Sequence, residues 1–278
     1  MIKKTVLLMC LMGYSIKSFA CTGWAAINPN GDVLIAKNRD AIPTEQYVMV
    51  KHAKKDPYSF IGLYALGKNQ KKQLRAGINE KNLVATSLTA TVVPSSMKKN
   101  GKSVMSKILA RYSSVQKISD DKETLFNNVH PMFYMFADNK NIAYVEIAPD
   151  HKFSFVMQDK GILTHTNHYL TPNLSAYNIK TYPSSHKRLD KMNNLLKQKL
   201  DNYTFADFKN YSEDTSQGAN DSILRTAPDE FKERTVATWI VTISNQGKPN
   251  YVYIKLFGKN GNATVVEGSV RDLFAQLK

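Results

Sequence analysis

The residues from Cys21 to Asp40 read CTGWAAINPNGDVLIAKNRD, and this stretch decides the fold. Two apolar runs, 22–28 and 32–38, flank Pro29-Asn30-Gly31, which is a turn signal of the hairpin kind. The pattern predicts a pair of antiparallel strands. The first strand starts beside a cysteine, and the second runs into a polar cluster at 37–40.

The twenty residues before Cys21 have the three parts of a secretory signal peptide. Lys3 and Lys4 precede an apolar run from 5 to 14, and Ser18-Phe19-Ala20 places small residues where a signal peptidase cuts. The apolar run is too short to remain as a membrane-spanning helix. We therefore predict residues 1–20 to be a signal peptide and 21–278 to be a single exported domain, periplasmic or secreted, without stable membrane insertion.

Cleavage after Ala20 would put a thiol and a free α-amine on the same residue, Cys21. An α-amine titrates near ~8 and a thiol near ~8.5, so the amine can act as a base for the thiol. The other cysteine, Cys10, lies within the signal peptide. Two alternatives stay open for Cys21: a lipidated anchor, although Ser18 replaces the usual leucine-like residue, and an unreactive buried cysteine.

The composition is that of a globular protein, with 42% hydrophobic and 22% charged residues. The net charge is +15, and it falls to +12 without the three lysines of residues 1–20. Most of the excess is lysine in scattered pairs, which is typical of a solvated surface. No aromatic platform or nucleic-acid motif accompanies it, so we expect no nucleic-acid partner. The charge weakly favours anionic substrates or surfaces.

Beyond the first hairpin, blocks of strands alternate with pairs of helices. This order predicts an α+β layered domain with antiparallel sheets between helices. The second hairpin, 132–137 and 143–148, is expected to be extended by 153–158 and 162–165. The other predicted strands are 58–64, 73–77, 83–90, 235–244 and 251–257; the predicted helices are 103–114, 121–128 with Ser119 or Asp120 as its cap, 184–200, 204–211 and 269–277.

Several short segments occur in order along the chain: Cys21-Thr22-Gly23, Lys37-Asn38-Arg39-Asp40, Gly77-Ile78-Asn79-Glu80-Lys81-Asn82-Leu83, the hairpin from Ala137 to Glu146, and Thr166-Asn167-His168. This ordered set resembles the N-terminal-nucleophile (Ntn) hydrolases. The branch that it resembles most is the choloylglycine hydrolase and penicillin V acylase group, with the isopenicillin N acyltransferase-like amidases. The resemblance implies a four-layer αββα sandwich and cleavage of a linear carbon–nitrogen amide through a Cys21 thioester.

The resemblance implies roles for the cluster that ends the first hairpin. Asp40 matches the aspartate that holds the α-amine of the nucleophile in these enzymes. Lys37 stands where they usually have an arginine near the thiol, and Arg39 directly precedes Asp40. An ideal strand puts Lys37 and Arg39 on one face and Asp40 on the other, so convergence on Cys21 needs a twist or a bulge. Which cation serves the thiol stays open.

The resemblance also implies roles for residues later in the chain. Asn167 matches an oxyanion donor. Thr89 falls where related enzymes often have a second asparagine, which leaves a hydroxyl or a backbone amide for that contact. Arg234 is matched to a supporting arginine near the C-terminal strands. We interpret His165 and His168, without a third ligand nearby, as hydrogen-bonding groups, and we expect no metal and no cofactor.

The predicted function is that of an exported cysteine amidohydrolase acting on a small-molecule N-acyl amide. One alternative is an acyltransferase that uses the same site, with an amine in place of water. A second alternative, from a different class, is an inactive exported binding protein or lipoprotein with the same fold. The acyl and amine groups of the substrate are not indicated by the sequence, and self-association into a homo-oligomer stays open.

Overall fold

The computed structural model describes residues 20–67, 70–98, 103–180, 182–199, 202–227, 232–258 and 262–277. Residues 1–19 of the predicted signal peptide lie outside this part. The strands are β1 (Cys21–Ile27), β2 (Val33–Ala41), β3 (Gln46–Lys51), β4 (Phe60–Leu66), β5 (Lys72–Asn79), β6 (Val84–Leu88), β7 (Met132–Ala137), β8 (Ile142–Ile147), β9 (Phe153–Gln158), β10 (Gly161–His165), β11 (Arg234–Ile243), β12 (Tyr251–Phe257) and β13 (Ala263–Ser269).

The described residues also form helices. They are α1 (Met105–Arg111), α2 (Val115–Asp120), α3 (Lys122–Phe126), α4 (Pro183–Lys197), α5 (Phe205–Ser212) and α6 (Val270–Gln276), with short 3₁₀ turns at Ser95–Lys98 and Pro172–Tyr177. Within the described residues, no helix has the length and apolar character that crossing a membrane requires.

The strands form two antiparallel sheets. The first sheet has the order β10-β1-β2-β11-β12-β13, and the second runs β3-β4-β5-β6-β7-β8-β9 in chain order. A buried apolar core lies between the two sheets. A second core separates the outer face of the second sheet from α1–α3, and a third separates the first sheet from α4 and α5. The predicted αββα sandwich is therefore confirmed.

The structure corrects four details of the predicted elements. Strands β3 and β13 were not predicted, and both are edge strands of their sheets. The stretch 162–165 does not extend the second hairpin, because β10 pairs with β1 in the first sheet. The predicted helix 121–128 is the shorter α3, and the unpredicted helix α2 precedes it, capped by the hydroxyl of Ser114. Ser119 and Asp120, the two predicted caps, instead lie within α2.

The first hairpin lies at the centre of the molecule. Strand β2 pairs with β1 on one side and with β11 on the other, so every residue of β1 and β2 is buried. A methyl group at Gly23 would lie 2.5 Å from Met135 Sδ, so the glycine lets β1 approach the second sheet closely. The start of β1 is thereby placed in the space between the sheets.

Candidate active site

Cys21 is the first residue of β1 and belongs to the core between the sheets, with 4% of its surface exposed. In this full-length chain its nitrogen is a peptide nitrogen, bonded to Ala20, and it stands in for the α-amine of a cleaved chain. The carbonyl of Ala20 accepts a hydrogen bond of 3.0 Å from the backbone N–H of Asp40. The bond between Ala20 and Cys21 therefore lies beside the polar cluster of β2.

Lys37 lies on the same side of the first sheet as the thiol. Its Nζ crosses to the second sheet, where it donates to the carbonyl of Arg75 at 3.2 Å and to that of Ser87. Burial lowers the pKa of Lys37 to about 8, while a Cys21 thiolate acts in the opposite direction. Lys37 is thus a fully buried cation whose charge depends on pH near neutrality.

Arg39 pairs directly with Cys21 across β1 and β2, so their side chains are neighbours on one face. Its exposed fraction is 5%. Burial lowers the pKa of Arg39 to about 10, and repulsion from Arg75 adds to this effect. The expected alternation along β2 is observed, since Lys37 and Arg39 share the thiol face while Asp40 lies on the other.

Arg75 was not predicted from the sequence, and a β-bulge places it near the thiol. Leu63 pairs with Ala76 and Tyr64 pairs with Leu74, so Arg75 is the extra residue of β5. A bulge of this kind redirects a side chain. Burial lowers the pKa of Arg75, and the Cys21 thiolate is the charge that opposes this most strongly.

Asp40 lies on the opposite face of β2, beneath the helices. Its Oδ1 accepts a hydrogen bond of 2.8 Å from the Thr235 hydroxyl, and its Oδ2 lies 3.8 Å from Nη1 of Arg225. Within the described residues, Oδ2 has no hydrogen-bond partner. Burial raises the pKa of Asp40, opposed by Arg225 and then Arg188. A second bulge, in β11 between Thr235 and Ala237, lies beside this carboxylate.

The arginine beside Asp40 is Arg225 rather than the sequence candidate Arg234. Arg234 begins β11 opposite Ala41, and its Nη2 donates to the carbonyl of Gly258 at 3.3 Å. Arg225 precedes the strand, and its side chain is only 10% exposed. The sequence did not distinguish the two, because both arginines stand close to the start of β11.

Asn167 contacts Cys21 directly. Its Oδ1 accepts a hydrogen bond of 2.9 Å from the nitrogen of Cys21, and its Nδ2 donates to the carbonyl of Thr89 at 2.9 Å. The Thr91 hydroxyl donates to the backbone carbonyl of Asn167 at 3.2 Å. The structure thus brings Cys21 and Asn167 together, with the carbonyl of Thr89 as an acceptor beside them.

Arg188 of α4 is the third residue of the candidate site, after Arg75 and Arg225, that sequence reasoning missed. Its Nη1 donates to the carbonyl of Cys21 and to the hydroxyl of Thr22, each at 2.7 Å, and its Nη2 donates to Asn167 Oδ1 at 2.9 Å. The helical spacing of the sequence could have indicated that Arg188 is buried, because it lies on the same buried stripe of α4 as Ser185 and Met192.

The two histidines beside Asn167 make local hydrogen bonds. His165 Nε2 lies 2.9 Å from Oε1 of Glu146, and His168 Nδ1 lies 2.8 Å from the Ser185 hydroxyl. Burial would raise the pKa of Glu146, but hydrogen bonds, that of His165 foremost, lower it overall. Burial, with repulsion from the stacked His186, lowers the pKa of His168 to about 4. The described residues contain no group of three His, Cys, Asp or Glu placed to hold a metal ion.

The sequence from 27 to 253 matches the model of the acyl-coenzyme A:6-aminopenicillanic acid acyl-transferase family. The match includes Lys37, Asp40 and Asn167 and begins after Cys21. The fold is similar to that of a variant of conjugated bile acid hydrolase from Clostridium perfringens, with a TM-score of 0.59 and 15% sequence identity over 91% of this chain and 93% of that one. No curated protein matches the chain.

Proposed function

We propose a function for this chain, which belongs to the acyl-coenzyme A:6-aminopenicillanic acid acyl-transferase family. The proposed function is that of an exported cysteine amidohydrolase that cleaves a linear amide of a small N-acyl substrate. One observation carries the proposal. The start of β1 is held by Asn167 at the Cys21 nitrogen and by Arg188 at the Cys21 carbonyl, while its side chain faces buried cations. A structural cysteine needs none of these contacts.

The first half of the proposed reaction forms a thioester. The α-amine, freed by cleavage after Ala20, takes the thiol proton, and the sulfur attacks the amide carbonyl. The carbonyl oxygen becomes an oxyanion, to which we assign the side-chain amide of Asn167 as a donor. When the carbon–nitrogen bond breaks, the leaving amine takes the proton from the α-ammonium.

The second half releases the acid. Water gives a proton to the α-amine and attacks the thioester carbonyl, and the sulfur leaves and recovers that proton. An amine that attacks in place of water gives a new amide, so acyl transfer uses the same residues. Water needs no dedicated binding site, whereas acyl transfer requires a second, bound amine. We therefore favour hydrolysis.

The neighbouring charges favour the thiolate form of Cys21 and the ammonium form of its α-amine. Lys37 and Arg39 lie on the thiol face, where a cation lowers the cost of forming a thiolate. Asp40 has a buried carboxylate oxygen without a hydrogen-bond partner in the described residues. An α-ammonium at Cys21 would supply the missing donor, and the carboxylate would orient the amine.

The test is amine release from a panel of N-acyl amides by protein whose N-terminus has been identified by intact mass. Cys21→Ser and Cys21→Ala should each lower turnover about a thousandfold or more, because the covalent route is lost. Thr238→Ser, a conservative change on a neighbouring strand, is the matched control and should stay near wild type. Cys21 is the only cysteine in 21–278, so loss of activity on alkylation is assigned without ambiguity.

Three results would overturn the proposal. Wild-type turnover by Cys21→Ala on a verified substrate would show that Cys21 is not the nucleophile. A diacylglycerol adduct on Cys21, together with no amide cleavage across the panel, would indicate the binding protein or lipoprotein instead. A new amide formed when an amine is added, in preference to the free acid, would identify an acyltransferase.

A further inference from the structure

We propose that Arg39 and Arg75 form an anion-binding subsite beside Cys21, and that the substrate carries a carboxylate or a similar oxyanion close to its scissile amide. This inference rests on the proposed function and adds the substrate class. The two arginines come from different sheets, Arg39 from β2 and Arg75 from the bulge of β5. Arg39 pairs with Cys21 across β1 and β2, and Arg75 is close enough to Arg39 to repel it.

The first argument is the balance of charge around the thiol. Lys37, Arg39 and Arg75 all interact with Cys21, which supplies at most one negative charge. Asp40, the other nearby acid, also acts on Lys37 and Arg39, but more weakly than Cys21 does, and it lies on the far face of β2, engaged by Thr235 and Arg225. Buried cations are stable when they are paired, so an excess of two positive charges calls for an anion from outside the chain.

The second argument is the state of the guanidinium groups. Within the described residues, Nη1 of Arg39 and Nε of Arg75 are buried and have no hydrogen-bond partner. A buried donor without a partner costs free energy. The two guanidinium groups also repel each other, since Arg75 is the charge that acts most strongly on Arg39. Two arginine donors that face one space are suited to a carboxylate, which accepts several hydrogen bonds at once.

The third argument is that the bulge that places Arg75 interrupts the regular pairing of β5. The bulge interrupts pairing with β4, and the freed carbonyl of Arg75 is taken up by Lys37 Nζ and by the Ser87 hydroxyl, both at 3.2 Å. Arg75 is half-buried, whereas Lys37 and Arg39 are almost fully buried. The cations therefore extend from the thiol toward the surface, along a path that a charged substrate can follow.

The activity test compares N-octanoyl amides that differ in one group. The first substrate, N-octanoylglycine, carries a carboxylate on the amine half, and the second, N-octanoylglycinamide, is its neutral counterpart. The third substrate is an N-acyl amide with a terminal carboxylate on the acyl half. Wild type should prefer one anionic substrate by about ten- to a hundredfold in kcat/KM, the range expected for charged hydrogen bonds. The anionic substrate that is preferred identifies which half, acyl or amine, places its carboxylate in the subsite.

The variant series separates charge from structure. Arg75→Gln should reduce the ratio of anionic to neutral kcat/KM by about tenfold or more, mainly through KM, and Arg75→Lys should restore part of it. Lys71→Gln removes one exposed lysine close to the start of the same strand and should leave the ratio unchanged. A melting temperature for each variant identifies any that fails to fold. Arg39→Gln then repeats the same substrate comparison with the arginine that the first sheet contributes.

A second readout does not depend on turnover. Iodoacetate and iodoacetamide alkylate the same thiol but differ in charge, so the ratio of their rate constants with Cys21 reports on nearby cations. The ratio should fall in Arg75→Gln and stay constant in Lys71→Gln. An unchanged ratio in both arginine variants, with amides cleaved without regard to charge, overturns the subsite alone. No cleavage in any arm overturns the proposed function, whatever the alkylation ratio.

Discussion

A lysine beside a thiol differs from an arginine in that it can lose its proton near neutral pH. Lys37 is fully buried, and burial lowers its pKa to about 8. Above that pH its Nζ becomes neutral, and the thiolate of Cys21 loses the stabilisation of a nearby positive charge. An arginine at the same position keeps its charge throughout the working range.

We therefore expect kcat/KM to rise with pH as the α-amine becomes a free base, and to fall again above about 8 as Lys37 loses its proton. In Lys37→Arg the descending limb should move upward by at least about one pH unit. Lys71→Arg, an exposed position, should leave the profile unchanged. The measurement is a pH–rate profile from about pH 5 to about pH 10. A descending limb that stays in place in Lys37→Arg would assign it to another group.

A resemblance marked Asp40 and Asn167 as candidates from the sequence, whereas residues whose position depends on tertiary geometry were missed. Arg75 sits in a strand that reads as regular, and only the register of β4 against β5 shows that it is the extra residue. Arg225 and Arg234 stand near the same strand, and the fold decides which one reaches Asp40. Sequence spacing carries no information on either point.

At the scale of elements, helix α4 connects two parts of the site. One turn of the helix carries Ser185, whose hydroxyl accepts from the backbone N–H of Asn167 at 2.9 Å, and the next carries Arg188. Arg188 then holds the Cys21 carbonyl and the Asn167 side chain together. The helix therefore fixes the distance between the start of β1 and the segment after β10.

Arg188 is accordingly a positioning residue, and Arg188→Lys should lower kcat by about tenfold or more with a smaller change in KM. The lysine keeps the charge but cannot donate to both partners with a fixed geometry. Lys187→Gln removes the adjacent, exposed cation of the same helix and should leave both constants near wild type, since its ion pair with Asp221 is at the surface. If Arg188→Lys lost thermal stability but kept kcat, the role of Arg188 would be structural only.

Most elements that the sequence predicted have buried faces or a clear helical stripe, although the edge strands β9 and β10 were also predicted. Strand β12 was predicted with its observed bounds, 251–257, and α4 and α5 were displaced by at most a few residues. The missed strands, β3 and β13, pair on one side only and are largely half-buried or exposed. An edge strand has little apolar pattern to detect, because only part of its surface meets the core.

At the scale of the whole molecule, the site forms where both sheets and α4 meet around one end of β1. This end of β1 is also where we propose that the predicted signal peptide is removed. In the uncleaved chain the Cys21 nitrogen is acylated by Ala20, whose carbonyl accepts from the backbone N–H of Asp40, and one carboxylate oxygen of Asp40 is buried without a hydrogen-bond partner in the described residues. We propose that the ammonium group created by cleavage pairs with this carboxylate.

We therefore expect a chain that begins at Cys21 to be more stable than one that begins at Ala20. A new buried ion pair worth about 1–2 kcal/mol would raise the melting temperature by roughly 2–8 °C for a protein of this size. In the longer chain, burial raises the pKa of Asp40, so its ionised form weakens the fold as pH rises. In the shorter chain the ammonium favours the ionised form, and that stabilisation is lost as Asp40 is protonated at low pH.

The difference in melting temperature between the two chains should thus grow from about pH 4 to pH 7 and shrink above about 8, where the α-amine loses its proton. Asp40→Asn in both chains is the matched control and should abolish the difference at every pH, because an amide has no charge to pair with the ammonium. Thermal unfolding at a series of pH values measures the effect. A difference that persists in the Asp40→Asn pair would come from the loss of Ala20 itself, and equal melting of the unmodified chains would place the α-amine away from Asp40.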